Sequence, residues 1–391
     1  MESNIPMPQA AEPATARRSV SVGLPAGLSS AERRFPLTPE CAGMLVDRGY
    51  SVRIESGAAE CINYTDYQYA RAGVEISSRA DVLKSDIVIS LAPLSRHDAT
   101  LLRRGAVLFG LLHADAQDNR ALEVLLERGV TAIALDLIGD MRGNMPFADI
   151  LAEIDGRASI AIASSLLADP AMGKGILIGG VAGIVPCEVT VLGSGIAAVA
   201  AARSAVGLGA MVRMFDNDAY RLRDALRQLG PGVVGSAIHR HVLEGALRSA
   251  DIVIATEAMP YCVIGAEEVA MMKKGVITFD LSHGGKSVFP SLPTVDLAVA
   301  SPRDNDMVGK RRVCYVNAGN AVPRTSAMAL GNTFLTLMND ITACDGLTNA
   351  LKIRPGLRQA VYTYLGRPVN RRIADIMGLR YVDINLFLQF S

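Results

Sequence analysis

The sequence predicts an α/β protein with two doubly wound, largely parallel sheets. Its 391 residues are enough for two or three domains of roughly 100–200 residues each. Short β-branched runs alternate with helical patterns in two separate series, as expected for parallel strands, which need crossover connections. Half of the residues are hydrophobic and 20% are charged, which excludes a largely disordered chain.

The first series of elements follows an N-terminal segment rich in Pro, Ala and polar residues. We interpret residues 1–17 as a disordered leader. Residues 39–48 have helical spacing that ends at Gly49. Apolar runs predict strands at residues 19–24, 51–55, 82–91, 106–111 and 131–136.

The second series begins after a long helical pattern at residues 146–168, which follows Gly143 and could connect two domains. Helical periodicity recurs at residues 197–207 and 219–229, and the C-terminal part is predicted to be helical. Strands are predicted at residues 188–192, 211–215, 252–255 and 276–280, and C-terminal helices at residues 326–340, 355–364 and 370–377.

The strongest local motif is V-L-G-S-G-I-A-A, directly after an apolar strand. Gly193, Gly195 and Ala198 form a G-x-G-x-x-A pattern, with Ser194 and Ile196 completing the turn. The first glycine permits a tight turn and the second lets the backbone approach a pyrophosphate. The alanine lets helix and strand pack closely, with the helix N-terminus facing the phosphate.

Asp216 strengthens this signal, because it ends the next predicted strand 23 residues after Gly193. A carboxylate there accepts hydrogen bonds from the adenine ribose hydroxyls of a bound dinucleotide. No Arg or Lys follows Asp216 directly, so a 2′-phosphate would meet repulsion and NAD is favoured over NADP. The alternative is a structural turn that binds no ligand.

Charge and composition argue against several other classes. Lys plus Arg and Asp plus Glu both number 39, which is untypical of nucleic-acid binding. The most apolar stretch, residues 175–197, is broken by Pro186 and Glu188, so no membrane association is expected. Six irregularly spaced cysteines indicate reduced thiols in a cytoplasmic protein, and no metal site is expected.

Several ordered motifs carry a wider resemblance over residues 20–383. They are R-F-P-L-T-P-E, E-S-G-A-A, L-F-G-L-L-H, G-G-V-A-G-I-V-P, L-G-S-G-I-A-A and A-V-P-R-T-S. With them, the chain resembles the alanine dehydrogenase family and its relative, the NAD-binding subunit of proton-translocating transhydrogenase. The run from G-G-V-A-G-I-V-P to the glycine turn and the V-P-R-T-S motif resemble alanine dehydrogenase most.

The resemblance implies a Rossmann-type NAD domain, residues 146–321, inserted into a discontinuous substrate domain. The substrate domain would comprise residues 18–145 and 322–391, with the active site between the two domains. Members interconvert an amino acid with its 2-oxo acid and ammonia and pass hydride to NAD. They are commonly homo-oligomers, so a dimer or hexamer is expected.

Two substrate-domain residues match functional positions of that family. The resemblance implies that Arg34 binds the substrate carboxylate, for which a planar guanidinium is suited. It implies that His113 is the catalytic histidine, whose unperturbed pKa near 6.5 suits acid–base work. The alternatives are a solvated surface arginine and a structural histidine.

Two positions depart from the family. Aligning on Pro93 puts Leu91 where the family has a lysine that acts on the carbonyl or imine. Ser282 replaces an acidic residue near the nicotinamide, and His283 follows it. His283 is either a relocated acid–base group or a loop histidine bound to the backbone. Loss of the lysine argues against alanine itself as the substrate.

The remaining cofactor positions are better preserved. The resemblance implies that Asp280 and Asn317 lie near the nicotinamide and that Thr256 borders the cofactor. Glu257, beside it, stands where the family prefers apolar residues. It either meets a substrate amine or caps a helix from solvent.

Three functions are consistent with these features. The first is hydride transfer between NAD(H) and an amino acid or its imine or 2-oxo acid, which would include opine-type or cyclic-imine reduction. The second is a non-redox elimination or cyclisation that uses tightly held NAD transiently. The third is an NAD-binding regulator or pseudo-enzyme.

Overall fold

A computed structural model gives the fold for residues 19–27, 32–258, 262–282, 287–302 and 312–389. The leader predicted at residues 1–17 lies outside these ranges. The described chain forms two α/β units, each built around its own sheet.

The first half of the chain alternates strands and helices. Its strands are β1 (Ser21–Leu24), β2 (Ser51–Glu55), β3 (Glu75–Ser77), β4 (Ile87–Ile89), β5 (Val107–Gly110) and β6 (Thr131–Ala134). Its helices are α1 (Pro39–Asp47), α2 (Asp66–Arg71), α3 (Arg79–Leu83), α4 (Arg96–Leu101), α5 (Asn119–Glu127) and α6 (Pro146–Ala168). Proline begins α1 and α6, where its missing N–H costs no helical hydrogen bond.

The second half continues with another alternating series and ends in helices and a hairpin. Its strands are β7 (Glu188–Leu192), β8 (Met211–Phe215), β9 (Val233–Ser236), β10 (Ile252–Ala255), β11 (Ile277–Asp280), β12 (Thr294–Asp296), β13 (Cys314–Val316), β14 (Val361–Tyr364) and β15 (Arg367–Pro368). Its helices are α7 (Ile196–Gly207), α8 (Ala219–Leu229), α9 (Arg240–Ser249), α10 (Ala266–Met271), α11 (Pro323–Ala343), α12 (Leu347–Ile353), α13 (Pro355–Gln359), α14 (Arg371–Met377) and α15 (Asn385–Leu388).

The first sheet joins strands from both ends of the chain. Its order is β15-β14-β6-β5-β4-β1-β2-β3, and its six N-terminal strands are parallel. Strand β14 pairs antiparallel with β6, and β15 pairs antiparallel with β14. The unit is therefore discontinuous in sequence, as the resemblance implies.

The second sheet is wholly parallel, with the order β12-β13-β11-β10-β7-β8-β9. The strand order reverses direction at β7, between β8 and β10. A doubly wound sheet binds its ligand at such a switch point, beyond the carboxyl ends of the strands. The turn containing Gly193 follows β7 and so lies at this point.

The structure corrects several predicted elements. Residues predicted as one strand at 82–91 divide between α3 and the short strand β4. The helix predicted at 355–364 ends at Gln359, and Val361–Tyr364 pairs with β6 because burial on both faces favours a strand there. Strands β3, β9, β12, β13, β14 and β15 were not predicted.

Two further expectations concern the cysteines and the membrane. All six cysteines are free thiols, and Cys41, Cys187, Cys262 and Cys314 are buried, as predicted. No helix among the described residues combines the length and the apolar character needed to cross a membrane.

Candidate functional site

The predicted site residues follow the carboxyl ends of neighbouring strands in both sheets. In the first sheet, Leu91 follows β4 and His113 follows β5. In the second, Asp216, Thr256 and Asn317 follow β8, β10 and β13. Since the carboxyl ends of parallel strands meet at one edge of a sheet, each set shares an edge.

The turn after β7 has the geometry of a phosphate cradle. Gly193 has a φ of 110°, which L side chains rarely adopt. Gly195 precedes the 12-residue helix α7, whose first turn carries free backbone N–H groups. Ala198 is fully buried against the sheet, and a cavity of about 330 Å³ opens beside Ser194 and Ile196.

An anionic group of the protein itself lies on this turn. The Gly195 amide donates a hydrogen bond of 3.0 Å to Oε1 of Glu257, and Arg221 Nη2 forms a close ion pair with the same oxygen. A Cβ at Gly195 would lie 2.6 Å from that oxygen. The turn therefore binds a carboxylate oxygen at the start of a helix, which is the chemistry that a pyrophosphate requires. These residues fit a dinucleotide.

Asp216 lies at the end of β8, beside the glycine turn. Its Oδ2 accepts a hydrogen bond of 2.5 Å from the Ser194 hydroxyl, and its Oδ1 accepts one from the Asp218 amide. The carboxylate is 2% exposed. The structure therefore brings Asp216 and the glycine turn together, as their spacing predicts.

The other cofactor candidates organise their own loops. Asp280 is buried and accepts hydrogen bonds from Ser282 and Ser287 and from the Val288 amide. Thr256 donates to the Leu192 carbonyl, and Asn317 donates to Asp296. Each side chain thus lies at the carboxyl edge of the second sheet but is bound to neighbouring residues. His283 lies outside the described residues.

Arg34 and His113 meet at a third residue, Glu32. Arg34 donates from Nε and Nη2 to the two carboxylate oxygens of Glu32, at 2.7 and 2.5 Å. Glu32 Oε2 also lies 3.8 Å from His113 Nε2. The side chains of Arg34 and Glu32 are 7% and 3% exposed, so this is a buried ion pair. Arg34 is not the solvated surface charge of the alternative interpretation.

The local electrostatics keep Arg34 charged. Burial alone would lower the pKa of Arg34, but the carboxylates of Glu32, Asp155 and Asp136 outweigh it and raise the pKa above its ordinary value. A guanidinium has five N–H donors, and Glu32 takes two of them. The remaining donors can bind a second carboxylate.

His113 has a strained backbone at its strand end, with φ 39° and ψ 49° in the left-handed region. Such a conformation costs about 1 kcal/mol or more in a residue other than glycine and is concentrated at functional sites. Its imidazole is about one-third exposed, and its Nε2 atom, which faces Glu32, is buried.

Leu91 is buried with 3% exposure and packs in the core cluster of the first sheet. Lys84, the nearest lysine before it in the sequence, caps the C-terminus of α3 and pairs with Asp81. Because Lys84 precedes β4, it lies towards the opposite edge of the sheet from His113.

Two contacts hold the loop after β13, one from helix α6 and one from the segment that carries Arg34. The Gly319 amide donates a hydrogen bond of 2.5 Å to Oδ1 of Asp155 in α6. The Arg33 amide donates one of 2.7 Å to Oδ1 of Asn320. The segment that carries Arg34 therefore adjoins the loop after β13, which begins at Asn317.

Sequence reasoning missed Glu32 and Asp155. Glu32 lies two residues before Arg34 in A-E-R-R-F-P, and this proximity could have indicated an ion pair between them. Asp155 lies inside a predicted helix, and no sequence motif links it to its partner Gly319, which is 164 residues away. Among the described residues, no group of His, Cys, Asp and Glu side chains could hold a metal ion.

Comparisons with known proteins agree with this architecture. The sequence model of the family "Alanine dehydrogenase/PNT, N-terminal domain" matches residues 23–155, and that of the corresponding C-terminal domain matches residues 159–371. The alanine dehydrogenase of Mycolicibacterium smegmatis is 30% identical over 375 residues, covering 94% of this chain and 99% of that protein. That of Bacillus subtilis is also 30% identical, covering 94% and 97%.

Solved structures of alanine dehydrogenase and transhydrogenase have the same fold as this chain. An L-alanine dehydrogenase superposes with a TM-score of 0.79 at 26% identity, covering 92% of this chain and 99% of that one. A transhydrogenase from Sinorhizobium meliloti has a TM-score of 0.72 at 20% identity, covering 90% and 99%, and shares the fold. The chain belongs to the alanine dehydrogenase/transhydrogenase family of NAD-dependent oxidoreductases.

Proposed function

We propose that the protein transfers hydride between NAD(H) and an amino acid or its imine or 2-oxo acid, with a substrate other than alanine. The observation that carries the proposal is the meeting of Arg34 and His113 at Glu32. This pairing supplies a carboxylate-binding cation and an acid–base group at one edge of the first sheet. The relatives named alanine dehydrogenase support the reaction class.

In this proposal Glu32 is a positioning residue. It holds the Nε side of Arg34, so the Nη1 side remains available for a substrate carboxylate. At 3.8 Å it also stabilises the imidazolium that forms when His113 takes a proton from the substrate nitrogen or oxygen. NAD, when bound, accepts or supplies the hydride.

Leu91 supports a substrate other than alanine. The resemblance places a lysine there, and a buried leucine supplies neither a cation nor a proton to the reacting carbonyl. A substrate with its own amine, or an imine that the enzyme does not hydrolyse, would need neither. Opine-type or cyclic-imine reduction is therefore included in the proposal.

We also propose the domain limits that the resemblance implies, residues 18–145 and 322–391 for the substrate domain and 146–321 for the NAD domain. The distribution of strands supports them, since β1 to β6 and β14 and β15 share one sheet and β7 to β13 form the other.

The test is a stopped-flow screen of NADH oxidation with pairs of 2-oxo acids and amines. The set includes pyruvate with ammonia and preformed cyclic imines. We expect oxidation with at least one pair and a weaker response, or none, with pyruvate and ammonia. Absence of oxidation with every substrate contradicts the function, and a preference for pyruvate with ammonia contradicts the substrate assignment alone.

A further inference from the structure

The carboxylate of Glu257 lies on the amide that a cofactor pyrophosphate would use. Glu257 follows β10, and its Oε1 accepts the hydrogen bond from the Gly195 amide at 3.0 Å, across 62 residues of sequence. One N–H cannot serve a carboxylate and a phosphate oxygen at full strength. Glu257 must therefore leave this amide when a dinucleotide binds.

Arg221 supplies the cation that makes this exchange possible. It lies in the first turn of α8, after the strand that ends at Asp216, and pairs with the Glu257 carboxylate. Hydrogen bonding to Glu257 raises the pKa of Arg221 despite opposing burial, and Asp216 and Asp218 add to the increase. The guanidinium thus pairs with the Glu257 carboxylate at a place where two further carboxylates favour a cation.

Both side chains have room to move. Arg221 is 46% exposed and Glu257 is 31% exposed, and the cavity of about 330 Å³ beside Gly195 is lined in part by Arg221. A partly exposed ion pair is stabilised weakly, so its rearrangement costs little free energy.

We propose that Glu257 lowers, and Arg221 raises, the affinity of the protein for its cofactor. Glu257 competes with the pyrophosphate for the Gly195 amide and repels its charge. The Arg221 guanidinium leaves the Glu257 carboxylate and pairs with the pyrophosphate instead. This inference rests on the proposed function, because it assigns these residues to the NAD site.

The test measures dissociation constants, without turnover. NADH binding is followed by fluorescence, and binding of ADP and adenosine by calorimetry. The variants are Glu257→Gln, which removes the charge, Glu257→Ala, which also removes the acceptor, and Arg221→Gln. Glu244→Gln is the matched control, because Glu244 forms an ion pair with Arg240 on α9 of the same sheet unit. Thermal unfolding of each variant checks that it is folded.

We expect both Glu257 variants to bind NADH and ADP roughly three- to tenfold more tightly than the wild type. Arg221→Gln should bind both roughly tenfold more weakly, since a charge-assisted hydrogen bond to phosphate is lost. Adenosine, which lacks phosphate, should bind equally to all variants, and Glu244→Gln should match the wild type.

Other outcomes overturn the inference in distinguishable ways. If the wild type binds NADH and both Glu257 variants stay within twofold of it, Glu257 does not compete with the cofactor. Tighter binding of adenosine by the Glu257 variants would place the effect away from the pyrophosphate. If neither the wild type nor any folded variant binds NADH, the proposed function fails together with this inference.

Discussion

Glu32 and Arg34 form a buried, two-point ion pair in which both carboxylate oxygens accept hydrogen bonds from one guanidinium. The Arg34 backbone amide adds a third hydrogen bond, of 2.9 Å, to Oε1 of Glu32. The pair therefore fixes the short segment before α1 as well as the direction of the guanidinium. Its removal should affect both stability and catalysis.

Glu32→Ala should lower the free energy of unfolding by about 3 kcal/mol, because it leaves Arg34 charged, buried and without its main partner. Urea unfolding at neutral pH measures this. Glu75→Ala is the matched control, since Glu75 pairs with Arg53 at 57% exposure and should cost under about 1 kcal/mol. Equal losses for the two variants would contradict the buried-pair interpretation.

Arg34→Lys should raise the KM for the 2-oxo acid or amino acid by about tenfold or more. An ammonium cannot hold Glu32 and a substrate carboxylate at once through a planar fork. The dissociation constant for NADH should not change. Arg33→Lys is a close control, because Arg33 is adjacent but its side chain is exposed. A similar KM for both lysine variants would remove Arg34 from substrate binding.

His113→Gln should reduce kcat by roughly a hundredfold or more, the usual range for loss of a general acid–base group. NADH affinity should be retained, because His113 follows β5 of the first sheet and the cofactor turn follows β7 of the second. The exposed His97 provides the control variant, His97→Gln. Wild-type turnover in His113→Gln would assign the acid–base role to a different residue.

The pH dependence of stability should show the contribution of Asp251. This residue directly precedes β10 and so lies at the amino edge of the second sheet, opposite the edge that carries Asp216. Asp251 accepts hydrogen bonds from Lys174, Lys273 and the Glu188 amide. Burial opposes ionisation, but these three donors outweigh it and lower the pKa of Asp251 below its ordinary value. A lowered pKa contributes stability that is present above the unfolded-state pKa and is lost as the pH falls through the folded-state pKa.

Asp251→Asn should therefore lower the free energy of unfolding by about 2 kcal/mol at pH 7. The difference from the wild type should persist down to about pH 5 and shrink as the pH falls below about 4. Urea unfolding across this pH range measures it, with Asp224→Asn as an exposed control. A difference independent of pH would mean that the Asp251 charge does not contribute.

Local sequence patterns were sufficient for the interior of the second sheet. Strands β7, β8 and β10 have the predicted bounds, because each is a short, mostly apolar run between clear helical patterns. Strand β14 was not predictable in this way. Residues 361–364 join the first sheet by pairing with β6, more than 220 residues earlier in the chain, and with β15.

The sequence by itself determined the family, the glycine turn after β7 and the strand ends that Arg34 and His113 were predicted to serve, because these depend on short motifs. Tertiary structure alone decided what the charged groups contact. Glu32 approaches His113, and Glu257 binds Gly195 and Arg221, across separations of 36 to 81 residues. These carboxylates contact their partners because the strand order of each sheet brings the strand ends together. Spacing along the chain does not encode that strand order.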